Sequence, residues 1–287
     1  MDSPTLRRDP LSGRLVAIAP GRAARPGAAG SALIDPATPE ELAECPFCAG
    51  REDRTPPEVL RRGDPWQVRV VPNLYPAVER QEVVIHSPHH VRSFADLDES
   101  EVAAVADTWH DLAGRAAGTE WQYLHVLINE GRAAGSSLPH SHSQVVYLRE
   151  PPPAVLAEHG NDRCGVCAVL DAAGPELRLG EDNGVAAVVH PVGRLPYELL
   201  IAGPHPDLDL FAALRLLRRS VAALRAVEGP VAWNAWLHDG WQGERRPGSH
   251  PHIELVPRLT VLAGLELGAE IYVNTLAPEE AASRLRR

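Results

Sequence analysis

Apolar and polar positions along the chain follow two periods, and each recurs in both halves. After the acidic stretch "DLDESE", Val102, Val105, Trp109 and Leu112 recur at helical spacing. Leu210, Leu214, Leu217, Val221 and Leu224 do the same in the second half. "WQYLHVLIN", "SQVVYL", "AAVVH", "VAWNAWL" and "HIELVP" are β-branched and aromatic runs of strand length. "NLYP" and "GRLP" interrupt matching places in the two halves. Segments 1–44 and 49–65, rich in Pro, Gly, Ala and Arg, read as loops, and 149–160 ("REPPPAVLAEHG") reads as a connection. "TLAPEEAASRLRR" reads as a closing helix with Pro278 near its start. The pattern predicts an α+β protein in two halves, 1–150 and 151–287. Each half has strands in antiparallel sheets and one main helix packed on them.

The cysteines and histidines repeat in the same order. Cys45 and Cys48 in "ECPFCAG" precede "EVVIHSPHH" and "LPHSHSQVVYL"; Cys164 and Cys167 in "RCGVCAV" precede "ELLIAGPH" and "GSHPHIELVP". From Cys45 to His90 is 45 residues and from His90 to His140 is 50. The second half runs 41 residues from Cys164 to His205 and 45 from His205 to His250. Shared order and spacing point to an internal duplication.

A C-x-x-C turn offers two thiolates at once, and tetrahedral zinc favours Cys and His ligands. The first complement is Cys45, Cys48, His90 and His140, with His89 as the alternative to His90. The second is Cys164, Cys167, His205 and His250. A redox pair, or one zinc shared by all four cysteines, are the other readings. The repeat favours one ion per half, about two zinc ions per chain, in closed structural sites.

On a strand, residues i and i+2 share a face, so His140, His142 and Gln144 start as neighbours. With His140 on zinc, His142 sits beside a rigid anchor, and its imidazole can attack phosphorus. Gln144 can donate its amide to a phosphoryl oxygen. The loop "NEGRAAGSS" brings small residues whose backbone can approach phosphate closely. The plainer reading of the bare motif makes both histidines metal ligands or surface groups. The second copy reads His250-Pro251-His252-Ile253-Glu254, and its carboxylate would repel a phosphoryl group. The second H-x-H is therefore not expected to be a transfer centre.

Composition narrows the partners. Of 287 residues 44% are apolar, enough for a sizeable core, and the formal charge of −10 argues against a duplex nucleic-acid partner. No apolar run approaches a membrane span, and the polar N-terminus has no signal-peptide core. A cytoplasmic protein is expected, where four cysteines serve metals rather than disulfides.

These motifs, in this order, resemble the galactose-1-phosphate uridylyltransferase family of the histidine-triad superfamily. The resemblance runs from "RRDPLSGRLVAIAPGRAARP" through "CPFCAGREDRTPPEV", "WQVRVVPNLYPAV", "SPHH" and "INEGRAAGSSLPHSHSQ" to the C-terminal "HIELVPRLTVLAGLELGAEIYVNTLAPEEAASRLR". It implies two histidine-triad-like halves, a homodimer, and ping-pong transfer of a nucleoside monophosphate. The donor would be a nucleotide sugar of the UDP-glucose type and the acceptor a hexose 1-phosphate such as galactose 1-phosphate. By position, His142 is the nucleophile, Gln144 contacts the phosphoryl group, and Asn129, Ser136 and Ser137 line the phosphate loop. Arg22 and Arg25 fall near phosphate or sugar, and Asn73 in the nucleoside pocket.

The H-S-H-S-Q form also resembles the ADP-glucose phosphorylase branch, which uses phosphate as acceptor. A dinucleoside polyphosphate phosphorylase would share the same intermediate. An inactive zinc-stabilised nucleotide-binding protein is the reading of another class. Ser141 is the residue that separates H-S-H from the H-P-H form. Ala269-Glu270 stands where a Gly-containing turn is expected.

Overall fold

The computed structural model describes residues 4–24, 33–158, 164–238 and 249–287. In chain order the elements are β1 (Thr5–Arg8), β2 (Leu15–Ile18), α1 (Pro39–Glu44), β3 (Leu60–Arg62), β4 (Val68–Pro72), β5 (Arg80–Ile85), α2 (Glu99–Ala116), β6 (Tyr123–Glu130) and β7 (His142–Leu148). The second half follows with α3 (Pro153–Glu158), α4 (Gly165–Ala172), β8 (Arg178–Asp182), β9 (Val185–Val189), β10 (Leu199–Ala202), α5 (Leu210–Glu228), β11 (Trp233–His238) and β12 (His252–Pro257). The chain closes with α6 (Gly264–Ala269), β13 (Ile271–Asn274) and α7 (Pro278–Leu285). Among the described residues, no helix is long and apolar enough to cross a membrane.

Ten strands form one antiparallel sheet in the order β3-β4-β5-β7-β6-β11-β12-β10-β9-β8. Read outward from the β6–β11 pair, the two halves have the same strand order. Helices α2 and α5 follow the matching strands β5 and β10 and bury the stripes that the helical spacing predicts: Val102, Val105, Trp109 and Leu112, then Leu214, Leu217, Val221 and Leu224. Asp98 and Glu101 form a capping box at the start of α2, and Asp209 caps α5. A smaller apolar cluster of Cys45, Phe47, Trp66, Val71, Val83 and Ile85 sits apart from this core. Val71 and Val83 alternate with Val70 and Val84 of the main core, so the small cluster lies on the sheet face away from the helices.

The segments read as loops hold more structure than their composition suggests. β1 pairs with β2, and β2 pairs in parallel with β13 from the far end of the chain. Helix α1 starts at Thr38, whose hydroxyl accepts from the Glu41 N–H, with Pro39 in the first turn. At the α6–β13 junction, Glu270 holds φ 54°, the left-handed conformation that a glycine would take without a Cβ penalty.

Glu130, on the helix-facing side of β6, accepts the Phe94 N–H at 2.9 Å and ties β6 to the turn before α2. Burial raises its carboxyl to about 7 against these hydrogen bonds. The folded chain therefore holds this proton over a range where the unfolded chain has lost it. The resulting stability is full in acid and is lost as pH rises towards 7. Glu130→Gln keeps an acceptor without the charge. Urea unfolding should show it near parity with the parent at pH 4 and more stable by roughly 2–3 kcal/mol at pH 8.

Candidate functional site

The first C-x-x-C lies on the open face of the sheet, at the foot of β7. Cys45 Sγ is 3.3 Å from His140 Nδ1, and Cys48 Sγ is 3.4 Å from His90 Nδ1. Donor atoms of Cys45, Cys48, His90 and His140 all lie within 4.8 Å of one another, an arrangement that can hold a metal ion. His90 is the one drawn in; His89 is exposed. His140 Nε2 donates to the Ser87 carbonyl at 3.0 Å, which leaves Nδ1 with its lone pair facing the sulfurs. Glu41 of α1 reaches His90 Nε2 at 2.9 Å and does the same job there. Burial and the neighbouring Cys45 push the Cys48 thiol up to about 11. A divalent cation among the four donors removes that penalty by favouring both thiolates. The donor set is that of a closed tetrahedral site. Glu41 escapes a reading that treats 1–44 as loop, although "TPEE" carries the signature of a capped helix start.

His142 is buried two residues beyond the His140 ligand position. It stands opposite Ile85 in the β5–β7 register and packs edge-on against Phe47 at 5.5 Å. Its Nδ1 donates to the His140 carbonyl at 2.7 Å, so the unprotonated nitrogen is Nε2. Burial holds the imidazole below its ordinary range, although this hydrogen bond favours the cation. The neutral, nucleophilic form therefore prevails at pH 7. Ser141 points the other way. Its hydroxyl meets His86 Nδ1 at 3.0 Å, while Ser143 meets His86 Nε2 and accepts from Trp109 Nε1, both at 3.0 Å. Ser141 therefore supports β7 from behind, on the side away from His142.

Gln144 and Asn129 share His142's face, with Gln144 opposite Leu127 and Asn129 opposite Asn234. The loop 131–137 turns on Gly131 and Gly135, at φ 85° and 90°. A Cβ on Gly131 would meet Ala232 and Ile34 at 2.8 and 2.9 Å, so only glycine fits. Ser136 is buried and donates to the Leu138 carbonyl, while Ser137 is exposed. A cavity of about 850 Å³ borders this loop, lined by Ser136, Ser137, Glu130 and Arg225 among others, but not by His142 or Gln144. Asn73 caps its own turn by accepting the Tyr75 N–H at 2.9 Å. Arg22 is exposed on a short 3-10 turn, and Arg25 lies outside the described residues.

The second half repeats the backbone device with different occupants. Cys164, His205 and His250 place their donor atoms within 4.8 Å of one another, and Cys167 Sγ lies 3.6 Å from His250 Nδ1. His250 Nε2 donates to the Gly203 carbonyl, and His252 Nδ1 to the His250 carbonyl. Beyond this point the halves diverge. Glu158, delivered by α3, lies 2.9 Å from His238 Nδ1, and these two residues cluster with His252 and Glu254 within a span that can also hold a metal ion. Arg194 caps the cluster by pairing with Glu198 and Glu254 and stacking over Trp236. Burial works to raise Glu254, but Arg194 and the adjacent histidines overcome it and hold the carboxyl well below its ordinary range. Neither Glu158 nor Arg194 belongs to a motif legible in the sequence, since each lies in a proline-containing connection and acts through residues far along the chain. Arg194→Met strands Glu254 without its cation, and thermal and urea unfolding should register a loss of about 3–5 kcal/mol.

Residues 74–152 match the family model described as the N-terminal domain of galactose-1-phosphate uridyl transferase. An ADP-glucose phosphorylase of Arabidopsis thaliana is 28% identical, over 99% of this chain and 93% of its own. A galactose-1-phosphate uridylyltransferase of Streptomyces lividans is 27% identical, over 98% of this chain and 86% of its own. The crystal structure of an ADP-glucose phosphorylase from Arabidopsis thaliana with bound ADP-glucose matches with a TM-score of 0.84 and 26% identity, covering 99% of each chain. Motif segment, topology and whole-length likeness agree: residues 74–152 carry the galactose-1-phosphate uridyl transferase N-terminal domain pattern, and the whole chain is similar to proteins named ADP-glucose phosphorylase and galactose-1-phosphate uridylyltransferase.

Proposed function

We propose that this chain transfers a nucleoside monophosphate from a nucleotide sugar through a covalent nucleotidyl-His142 intermediate. The observation that carries the reading is the 2.7 Å hydrogen bond from His142 Nδ1 to the His140 carbonyl, which leaves Nε2 unprotonated. Nε2 attacks the α-phosphorus, the bond from that phosphorus to the bridging oxygen breaks, and the sugar 1-phosphate leaves. An acceptor oxygen then attacks the phosphoramidate and the P–N bond breaks, returning neutral His142. Gln144 and Asn129 offer N–H donors to phosphoryl oxygens as charge builds. Ser136, Ser137 and the backbone of 131–137 serve the phosphate, Asn73 the nucleoside, and Arg22 and Arg25 the anionic end.

The ion we assign to Cys45, Cys48, His90 and His140 is zinc, with a second at Cys164, Cys167, His205 and His250. Bound there, zinc would be structural: Cys45, Cys48, His90 and His140 would hold it, and His140 would in turn fix the backbone on which His142 stands. The H-S-H-S-Q motif and the whole-length likeness to ADP-glucose phosphorylase favour ADP-glucose as donor and phosphate as acceptor. Transfer of UMP from UDP-glucose to galactose 1-phosphate is the second reading, favoured by the family-model match and the Streptomyces relative.

Intact mass after incubation with ADP-glucose or UDP-glucose, without acceptor, tests the intermediate and reports the base. The expected result is an AMP adduct that His142→Ala lacks and that phosphate discharges as ADP. A UMP adduct discharged by galactose 1-phosphate selects the second reading. No adduct and no exchange with either sugar nucleotide defeats both. Elemental analysis should give about two zinc ions per chain. Cys164→Ser should lose one ion and retain the adduct, whereas Cys45→Ser should lose the other ion together with most adduct formation.

A further inference from the structure

Gln144 and Asn129 are primary amides, and a primary amide can turn either its NH2 or its carbonyl towards an anion. The two ends nearly match in shape, so packing alone does not choose between them. A carbonyl oxygen aimed at a phosphoryl group would repel the charge that an N–H would stabilise. We infer that Gln81 and Asn234 are positioning residues that lock these two amides with their NH2 groups available to the transferred phosphoryl group. The inference rests on the transfer reading above for what the amides meet, and on geometry for how they are held.

Each lock is anchored on a backbone group with only one hydrogen-bonding role. The Ala77 N–H donates to Gln81 Oε1 at 2.8 Å. A backbone N–H only donates, so the oxygen end of Gln81 is settled, and its NH2 faces Gln144. Gln81 Nε2 donates to Gln144 Oε1 at 2.5 Å. On the other side, Asn234 Nδ2 donates to the Ala134 carbonyl at 2.8 Å and to Asn129 Oδ1 at 2.7 Å. A backbone carbonyl only accepts, so the NH2 end of Asn234 is settled too. Both carbonyl oxygens of the presenting amides are thereby occupied, and what remains for an incoming anion is N–H. Gly135 leaves room beside Asn129, where even a Cβ would stand 4.0 Å from Nδ2.

The two locks come from different places. Gln81 is on β5, two residues from Val83, which stands opposite Gln144. Asn234 is on β11 of the second half, directly across from Asn129. The half whose own H-x-H is closed by Glu254 and Arg194 thus contributes to the first half's site through one side chain.

Gln81→Glu and Asn234→Asp invert the locks, because a carboxylate only accepts and draws the facing NH2 towards itself. Gln81→Met is a control that removes the lock without inverting it. Single-turnover adduct formation is measured with whichever nucleotide sugar loads His142. Each inverting variant should slow the rate constant by about 100-fold, the range for losing one oriented donor, with the half-saturating concentration moving less than about threefold. Gln81→Met should fall between parent and Gln81→Glu. In a Gln144→Ala background Gln81→Glu should change the rate by less than about twofold, and Asn234→Asp likewise in Asn129→Ala. Losses that persist undiminished in those backgrounds, or inverting variants as fast as the parent, overturn the inference.

Side-chain amide NMR gives an arm that needs no turnover. The Gln144 and Asn129 NH2 signals are identified by their loss in Gln144→Ala and Asn129→Ala. Gln81→Glu should shift the Gln144 pair as it turns onto a carboxylate, and Asn234→Asp the Asn129 pair; unmoved signals overturn the inference. If the parent never loads, the transfer reading fails and this arm alone judges the positioning.

Discussion

The antiparallel pairing of β6 with β11 is the joint on which the rest depends. It fuses two five-stranded halves into a single ten-stranded sheet and sets the register of Asn129 against Asn234. Side chains alternate between faces, so this register puts Asn129, Gln144 and His142 on the same side as Asn234, Trp236 and His238. A slip of one residue would send one half's polar set into the helix-packed core. The opposite face is committed to α2 and α5, whose apolar stripes need cover that only the sheet provides.

A repeated backbone frame here carries unequal side chains. In each half the first histidine of H-x-H donates Nε2 to a backbone carbonyl and turns Nδ1 towards two sulfurs. The second histidine donates Nδ1 to the carbonyl of the first. The difference lies two residues further on and in what covers the strand. Gln144 is neutral and half-buried beneath an amide partner, whereas Glu254 is buried beneath Arg194, with Glu158 filling the space beside it. His252 keeps its backbone support but has Nε2 buried among carboxylates at 3.8 and 3.9 Å.

The long helices are legible because their stripes face a broad apolar sheet, and local period and tertiary burial agree. The N-terminal strands are not, because β2 acquires strand character partly from β13, some 250 residues along the chain by number. α1 is the intermediate case. Its start is written in Thr38, Pro39 and Glu41, but none of its residues is buried, so no apolar stripe announces it. α3 is short and follows a run of prolines, and its consequential residue, Glu158, meets His238 and His252 far along the chain.

Legible in the sequence by itself were the α+β class, the recurring order of its Cys and His residues, and the H-x-H-x-Q motif that resembles the family's. These are matters of spacing, and spacing is a property of the chain before it folds. Only the tertiary structure chose His90 over His89, turned Ser141 onto His86, closed the second H-x-H with Arg194, and oriented the amides of Gln144 and Asn129. Each of those outcomes depends on a hydrogen bond or ion pair between residues far apart in the chain. Direction and distance between such groups are fixed by register and packing, which no local pattern encodes.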